Sequence, residues 1–180
     1  MMKSIIWLQA IAYRLRQVRQ QLGFVSPLSS EDYAEVARWL APPALCLFRT
    51  MSQADQQHSL RVCRSLQARG SNEADLLAAA LLHDVGKAEG RVPFWTRPAI
   101  VVGKKCAPRL LTSLVGSAIV PGERYLPGWR RSLAYAWWHA EVGAQLAADA
   151  GLSERAVLYI RTHHQPNGPA AALHAVDEVS

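Results

Sequence analysis

Histidine and aspartate side chains occur in this sequence where buried metal ligands are typical. A run of alanines and leucines from Ala78 onward ends in His83-Asp84-Val85-Gly86-Lys87. The apolar residues before the His-Asp doublet indicate that it enters the protein interior, where an ionisable side chain is costly unless it is paired or bound to metal. Taken alone, the doublet fits a hydrogen-bonded pair in a core equally well.

Other histidines in helical contexts favour the metal interpretation. The candidate ligands, which fall on separate predicted helices, are His58, His83, Asp84, His139, His163, His164 and Asp177. A helical bundle can aim such residues at one internal point. Imidazole and carboxylate ligands suit iron, manganese, zinc, cobalt or nickel, so the ligand types do not name the metal. Adjacent helical residues point about 100° apart, so each doublet suits two neighbouring ions, or a helix end at which both side chains turn inward.

Helical periodicity accounts for most of the chain. Apolar residues recur at helical spacing from Ile5 to Leu22, and Gly23 ends that pattern. Further helices are predicted to begin near Ser29 or Ser30, Ser52, Ser71, Ser132, Ser153 and Ala170. Ala44 to Met51 is a short apolar segment between the first two of these. We find no alternating β pattern of useful length, so the predicted fold class is all-α.

The segment 88–131 breaks this regularity. It contains prolines throughout, and we expect its helices to be short and the segment to be a basic irregular insertion. Its acidic residues are Glu89 and Glu123, whereas its basic residues are Arg91, Arg97, Lys104, Lys105, Arg109, Arg124, Arg130 and Arg131. Two interpretations stay open: a solvated loop, and a basic lid over an anionic substrate.

Composition limits the classes of protein that this chain can be. It has 180 residues, 50% of them hydrophobic, and a net charge of +6, which suits one folded domain with an anionic partner. By itself this charge does not choose among a phosphorylated small molecule, a nucleic acid and an acidic membrane surface. The separated cysteines, Cys46, Cys63 and Cys106, form no CxxC and favour a reducing, cytoplasmic setting. No apolar run reaches the roughly 20 residues that span a bilayer. The oligomeric state stays open.

The sequence resembles the HD-domain metal-dependent phosphohydrolases. The resemblance begins at His58-Ser59-Leu60-Arg61-Val62, continues through the His83-Asp84-Val85-Gly86-Lys87 core and His139-Ala140-Glu141, and ends at His163-His164 and Leu173-His174-Ala175-Val176-Asp177. It covers about residues 53 to 180. It implies a compact HD-domain helical bundle over 51–180. Residues 1–50 lie outside the resemblance, and we expect them to form an extra N-terminal helical segment packed on this single globular unit.

The resemblance also implies a site, an activity and a partner, which is a phosphorylated small molecule rather than a nucleic acid. One metal ion would be held by His58, His83, Asp84 and Asp177, and His139, His163 and His164 would complete a second site. Iron or manganese is favoured, and cobalt, nickel, zinc or magnesium is possible. A metal-bridging hydroxide would attack phosphorus in a phosphate ester or anhydride of a nucleotide or dinucleotide. Asp84 and Lys87 would be catalytic, Lys87 by holding a phosphate oxygen.

One departure separates this chain from the branch that cleaves cyclic di-GMP. There the His-His pair is followed by a glycine-tyrosine-proline signature, whereas Gln165-Pro166-Asn167-Gly168-Pro169 stands here. The short interval from His164 to Asp177 looks more like the compact nucleotide-handling members. Two alternatives stay open: a di-iron oxygenase that uses the same ligands, and a non-catalytic HD signalling domain. His174 is expected at the surface or behind the ligands.

Overall fold

The computed structural model describes residues 26–90, 92–93, 96–116 and 127–180, and the described regular structure is all helical. This confirms the predicted all-α class. The amphipathic helix predicted between Ile5 and Leu22 lies outside the described residues. The described helices are α1 (Ser30–Val36), α2 (Pro42–Arg49), α3 (Gln53–Ala68), α4 (Ala74–Leu82), α5 (Gly86–Gly90), α6 (Thr96–Cys106), α7 (Pro108–Val115), α8 (Gly128–Asp149), α9 (Glu154–Thr162) and α10 (Ala171–Asp177).

Local sequence signals set several helix ends. Ser29, Ser52 and Ser153 each accept a hydrogen bond from a backbone N–H in the first turn of α1, α3 and α9, respectively. Gly70 and Gly151 follow α3 and α8 with φ of 86° and 83°, a left-handed conformation in which a Cβ would be strained. The serine caps explain why the predicted and observed beginnings of α1, α3 and α9 agree closely.

Other boundaries differ from the sequence predictions. Glu73, not Ser71, precedes α4, and its side chain makes no capping bond. Pro42-Pro43 begins α2, so the short apolar segment Ala44–Met51 is mostly helical. Two helices, α6 and α7, lie within 88–131, which was predicted to be irregular with short helices. The prolines do not prevent them, because they fall in the first turns, where a missing N–H costs little. The helix predicted from Ser132 begins at Gly128.

The main core surrounds α4, whose residues 76–82 are all buried. Side chains from α1, α2, α3, α9 and α10 pack around it, including Phe48, Leu66, Ile160 and Leu173. The described part of the N-terminal segment, 26–50, therefore shares a core with the rest of the bundle. A smaller cluster, formed by Leu111, Val115, Leu133 and Ala134, joins α7 to the first half of α8.

Helices α4 and α9 run side by side in the same direction. At their beginnings, Ser153 Oγ donates to Asp75 Oδ1 at 2.7 Å. From the second half of α9, Tyr159 Oη reaches back to the start of α4 and donates to Glu73 Oε1 at 2.9 Å. At their ends, the rings of His83 and His163 are 5.2 Å apart. This parallel alignment carries the His83-Asp84 and His163-His164 doublets to the same place.

Within the described residues, none of the helices combines the length and apolar character that a membrane-spanning segment requires.

Candidate metal centre

The His-Asp and His-His doublets follow directly after α4 and α9. His83 and His163 are the C-terminal caps of these helices, and both are fully buried. The chain turns at each cap, so the second member of each doublet also reaches the cluster. Within a continuous helix, two adjacent side chains would point about 100° apart. Because each doublet lies at a helix end, both of its side chains can point toward the cluster.

A first group of potential ligands consists of His58, His83 and Asp84, which each offer an atom within 4.8 Å of the others. Asp177, at the end of α10, joins this group. Its Oδ1 lies 2.8 Å from His58 Nε2 and 3.4 Å from His83 Nε2. Two imidazoles and two carboxylates thus converge from α3, the end of α4 and α10, a donor set that could hold one divalent ion.

A second group consists of His139, His163 and His164, again within 4.8 Å of one another. His139 comes from the middle of α8 and the other two from the end of α9. The Nε2 atoms of His139 and His164 are 2.9 Å apart, and the His163 and His164 ring centroids are 3.9 Å apart. These imidazoles could hold another ion.

Asp84 lies between the two groups. Its Oδ2 is 3.6 Å from His83 Nε2, and its Oδ1 is 3.5 Å from His139 Nε2. Each oxygen of this buried carboxylate therefore faces a different histidine group. The arrangement suits a carboxylate that bridges two ions.

Backbone carbonyls orient the buried imidazoles. The Nδ1 atoms of His83, His139 and His163 hydrogen-bond to the carbonyls of Ala80, Ala136 and Ile160, each three residues earlier, at 2.9, 2.9 and 2.6 Å. Since a carbonyl oxygen only accepts hydrogen bonds, each Nδ1 carries the ring proton. In a neutral ring the Nε2 atom is then unprotonated, and its lone pair faces the cluster. Metal-binding histidines typically have this support.

The Nε2 atoms of His83 and His163 are buried and have no hydrogen-bond partner among the described residues. A buried polar atom without a partner is costly. Divalent ions, one at each ligand group, would satisfy these atoms, because nitrogen lone pairs from converging imidazoles are good ligands for transition metals. The residues therefore fit a metal centre on their chemistry and on this unmet bonding capacity.

Electrostatics keep the second histidine group neutral. Burial, followed by the positive charge of Lys87, holds the pKa of His139 well below its usual value. Burial and nearby His83 lower the pKa of His163 to about 3, and burial also lowers the pKa of His164. Neutral imidazole is the form that binds a metal ion.

The first group carries the negative charge. Burial opposes ionisation of Asp84, but Lys87 and the neighbouring histidines outweigh it and set its pKa well below the usual value. Burial likewise opposes ionisation of Asp177, but the hydrogen bond from His58 and the nearby imidazole of His83 outweigh it and lower its pKa. For His83, the two carboxylates outweigh burial and raise the pKa. Both aspartates are therefore ionised at neutral pH.

Lys87 stands at the edge of the cluster. Its Nζ lies 2.5 Å from Oδ2 of Asp84, which is three residues earlier in the chain, and 14% of its side chain is exposed. Of the ligand groups, His83 and His163 are sealed from solvent, whereas His58 and Asp177 are about one-fifth exposed. Lys87 thus supplies a positive charge beside the ligands on a side that solvent reaches.

The structure brings every predicted ligand and Lys87 into this one cluster. Of the described basic residues in 88–131, Lys105, Arg109 and Arg131 have exposed side chains and belong to neither ligand group, and the side chains of Arg97 and Lys104 are not among those described. His174 is not a ligand in either group. Its Nδ1 lies 3.1 Å from the carbonyl oxygen of His163, a contact that the sequence does not predict.

Two glycines allow the backbones of α5 and α8 to approach each other closely beside the cluster. A Cβ on Gly86, at the start of α5, would overlap the carbonyl oxygen of His139 and lie 2.8 Å from the backbone nitrogen of Gly143. A Cβ on Gly143 would in turn lie 3.2 Å from the nitrogen of Gly86. Helical periodicity does not predict this contact. The glycine two residues after the His-Asp doublet is the sequence feature that could have indicated a close backbone approach.

Comparisons with family models, curated proteins and solved structures find no match to this chain.

Proposed function

We propose that this chain is a metal-dependent phosphohydrolase of the HD-domain type, which cleaves a phosphate ester or anhydride of a nucleotide or dinucleotide. One observation carries the proposal: two groups of ligands face opposite oxygens of the buried Asp84, with unpartnered Nε2 atoms on His83 and His163. A core of hydrogen-bonded histidines would leave no such atoms. A centre for two divalent ions uses them all.

The ligands divide between two ions in this proposal. His58, His83, Asp84 and Asp177 would hold the first, while His139, His163 and His164 would hold the second with the other oxygen of Asp84. Bound there, divalent ions would make a water molecule acidic enough to serve as a nucleophile at neutral pH and would withdraw charge from phosphate oxygens. The imidazole-rich set favours iron, manganese, cobalt, nickel or zinc over magnesium.

The charge of the centre supports an anionic substrate. Asp84 and Asp177 are the ionised ligands, and they offset only half of the charge of two divalent ions. Lys87 adds a further positive charge at the partly exposed edge. A phosphate group would neutralise this excess, because its anionic oxygens pair with metal ions and with ammonium groups.

Lys87 has two partners in the proposed reaction. In the structure it pairs with Asp84, which keeps that carboxylate ionised and oriented. With substrate present, its three N–H donors allow it to keep Asp84 and also bind a phosphate oxygen. It would thereby stabilise charge that develops on the phosphoryl group in the transition state.

The nucleotide part of the proposal rests on the resemblance to compact HD-domain members. Because Gln165-Pro166-Asn167-Gly168-Pro169 replaces the glycine-tyrosine-proline signature, cyclic di-GMP is not the proposed substrate. The oxygenase alternative uses the same ligands. Lys87 beside the cluster favours phosphate, since a positive charge suits the oxygens of a phosphoryl group.

The test combines metal analysis with a substrate panel. Protein purified without oxygen is loaded separately with manganese, iron, cobalt, nickel, zinc or magnesium and its metal content is measured. Each form is then assayed with mono-, di- and cyclic nucleotides, dinucleoside polyphosphates and an aryl phosphate. We expect phosphate release by at least one transition-metal form and none by Asp84→Asn.

Two results would count against the proposal. Protein with verified bound metal that releases phosphate from none of these compounds is not this kind of hydrolase. Oxygen uptake by the iron form in the presence of a polyol or phosphonate would instead support the oxygenase alternative. An arginine that lies outside the cluster, Arg155, offers a matched control: Arg155→Ala should keep full activity.

A further inference from the structure

His174 contacts the backbone at the end of α9, although it belongs to α10. His163 is the C-terminal cap of α9, and the last carbonyls of a helix have no N–H partner within it. The His163 carbonyl oxygen lies 3.1 Å from His174 Nδ1. The imidazole N–H therefore donates to an end carbonyl, a known role for histidine at helix C-termini.

The same side chain links the two halves of the centre. His174 lies one turn before Asp177 on α10, and Asp177 belongs to the first ligand group. His163 belongs to the second. Between them the chain makes a short, largely exposed turn at residues 165–169. The contact at His174 closes this turn and fixes the end of α9 against α10.

The position of the His163 carbonyl decides where two imidazoles point. The His163 ring is itself held by the Ile160 carbonyl at 2.6 Å, so its Nε2 follows the backbone closely. His164 is the next residue. A rotation of this peptide would therefore displace the Nε2 atoms of both doublet members, which with His139 form the second group.

His174 is not arranged to be a ligand itself. Its Nδ1 is used by the His163 carbonyl, and its Nε2 lies 3.7 Å from Oε1 of the exposed Glu178. The side chain is 16% exposed. Because it is not fully buried, packing alone does not explain why a histidine occupies this position. The hydrogen bond to His163 is its main described contact.

We propose that His174 is a positioning residue: by donating Nδ1–H to the carbonyl of His163 it sets the His163-His164 doublet for a second metal ion. The inference rests on the two-ion centre of the proposed function, but not on hydrolysis. Residues behind metal ligands commonly change metal affinity by about 10–100-fold when they are replaced. The effect of His174 should be confined to the ion held by His139, His163 and His164.

The test measures cobalt binding to the purified protein under anaerobic conditions. Binding is monitored by calorimetry and by the visible absorption of bound Co²⁺. His174→Ala should weaken the second ion by about 10–100-fold and change the first ion by less than about threefold. His174→Asn, whose side-chain N–H can occupy the place of Nδ1–H, should restore most of the affinity. His174→Gln places its N–H farther out, near the position of Nε2, and should not.

A second background identifies the affected ion. In His139→Ala, where the second group is incomplete, adding His174→Ala should leave the remaining cobalt affinity and spectrum unchanged. Thermal unfolding of each metal-free variant shows whether the fold is retained, and rescue by Asn separates positioning from a general loss of packing.

Several outcomes would overturn the assignment. They are parent-like cobalt affinities in His174→Ala, equal losses in the Ala, Asn and Gln variants, or a parent protein that binds fewer than two ions. Two-ion binding with the expected His174 effect, but without any phosphate release, would reject the proposed hydrolysis and leave the His174 assignment in place.

Discussion

The backbone of Gly86 lies directly against the backbone carbonyl of His139, with no room for a Cβ between them. This contact presses the start of α5 onto α8. Asp84 and Lys87 lie on either side of Gly86 in the chain, so the contact also sets their distance from the second histidine group.

Replacing Gly86 with Ala should separate α5 from α8, because the new methyl group would overlap the His139 carbonyl oxygen. Overpacking of this kind costs about 1–3 kcal/mol. We expect a lower midpoint in urea unfolding and a lower metal content. Gly128→Ala on α8 is the control: a Cβ on Gly128 would have no neighbour within 4 Å in the part of the chain that the structure describes, and the change should be neutral or slightly stabilising. Equal stabilities for the two variants would show that the α5–α8 contact can relax without cost.

Replacing His139 and His163 together with Ala should remove the second ion and leave the first. Their Nε2 atoms belong to one group, whereas His58, His83, Asp84 and Asp177 remain intact. Metal content after anaerobic loading should fall from about two ions per chain to about one, with most activity lost. Helical circular dichroism should be kept, and Asn167→Ala, in the exposed turn, should behave like the parent. A parent protein that saturates at one ion contradicts the two-ion assignment.

Replacing Lys87 with Ala should slow the reaction while both ions stay bound, because Lys87 is not a ligand and its charge acts on the phosphoryl group. Removing one such stabilising group typically costs about 10²–10³ in kcat. The matched control is Lys105→Ala, which removes an exposed lysine outside the cluster. An unchanged kcat would leave Lys87 as a partner of Asp84 only, and a loss of metal would make it a support for that ligand.

The stability of the metal-free protein should decrease as the pH falls below about 6.5, the usual histidine pKa. The pKa of His163 is lowered to about 3 in the folded protein by burial, so the unfolded chain binds a proton more readily. The contribution of His163 to the free energy of unfolding is therefore complete above its pKa in the unfolded chain. This contribution is lost as the pH falls toward its pKa in the folded protein. His139 and His164 act in the same direction, whereas the raised pKa of His83 opposes them.

Urea unfolding of metal-free protein across this pH range measures the effect. His163→Gln, which has no group that titrates there, should show a shallower dependence on pH than the parent. Identical dependence in the two proteins would mean that His163 takes up its proton without unfolding.

The burial of the residues in the cluster and several helix beginnings were accessible from sequence because both depend on local residues. Ser52 and Ser153 bond to the first turns of their own helices, and the apolar run before His83 indicates its burial. Short helices were expected within 88–131, but the bounds of α6 and α7 were not predicted, because proline disfavours a helix only beyond its first turn. The side-by-side alignment of α4 and α9 was missed because it depends on contacts such as Ser153 with Asp75, 78 residues apart, which helical periodicity does not encode.

The side-by-side alignment of α4 and α9 also has an electrostatic consequence. Both helices point their carboxyl-terminal ends at the cluster, and α10 ends there too, at Asp177. The aligned peptide dipoles of a helix are equivalent to about half a negative charge at that end. Each of these helix ends therefore favours a cation at the cluster, in addition to the two carboxylates, so that the peptide backbone itself contributes to the attraction of a divalent ion.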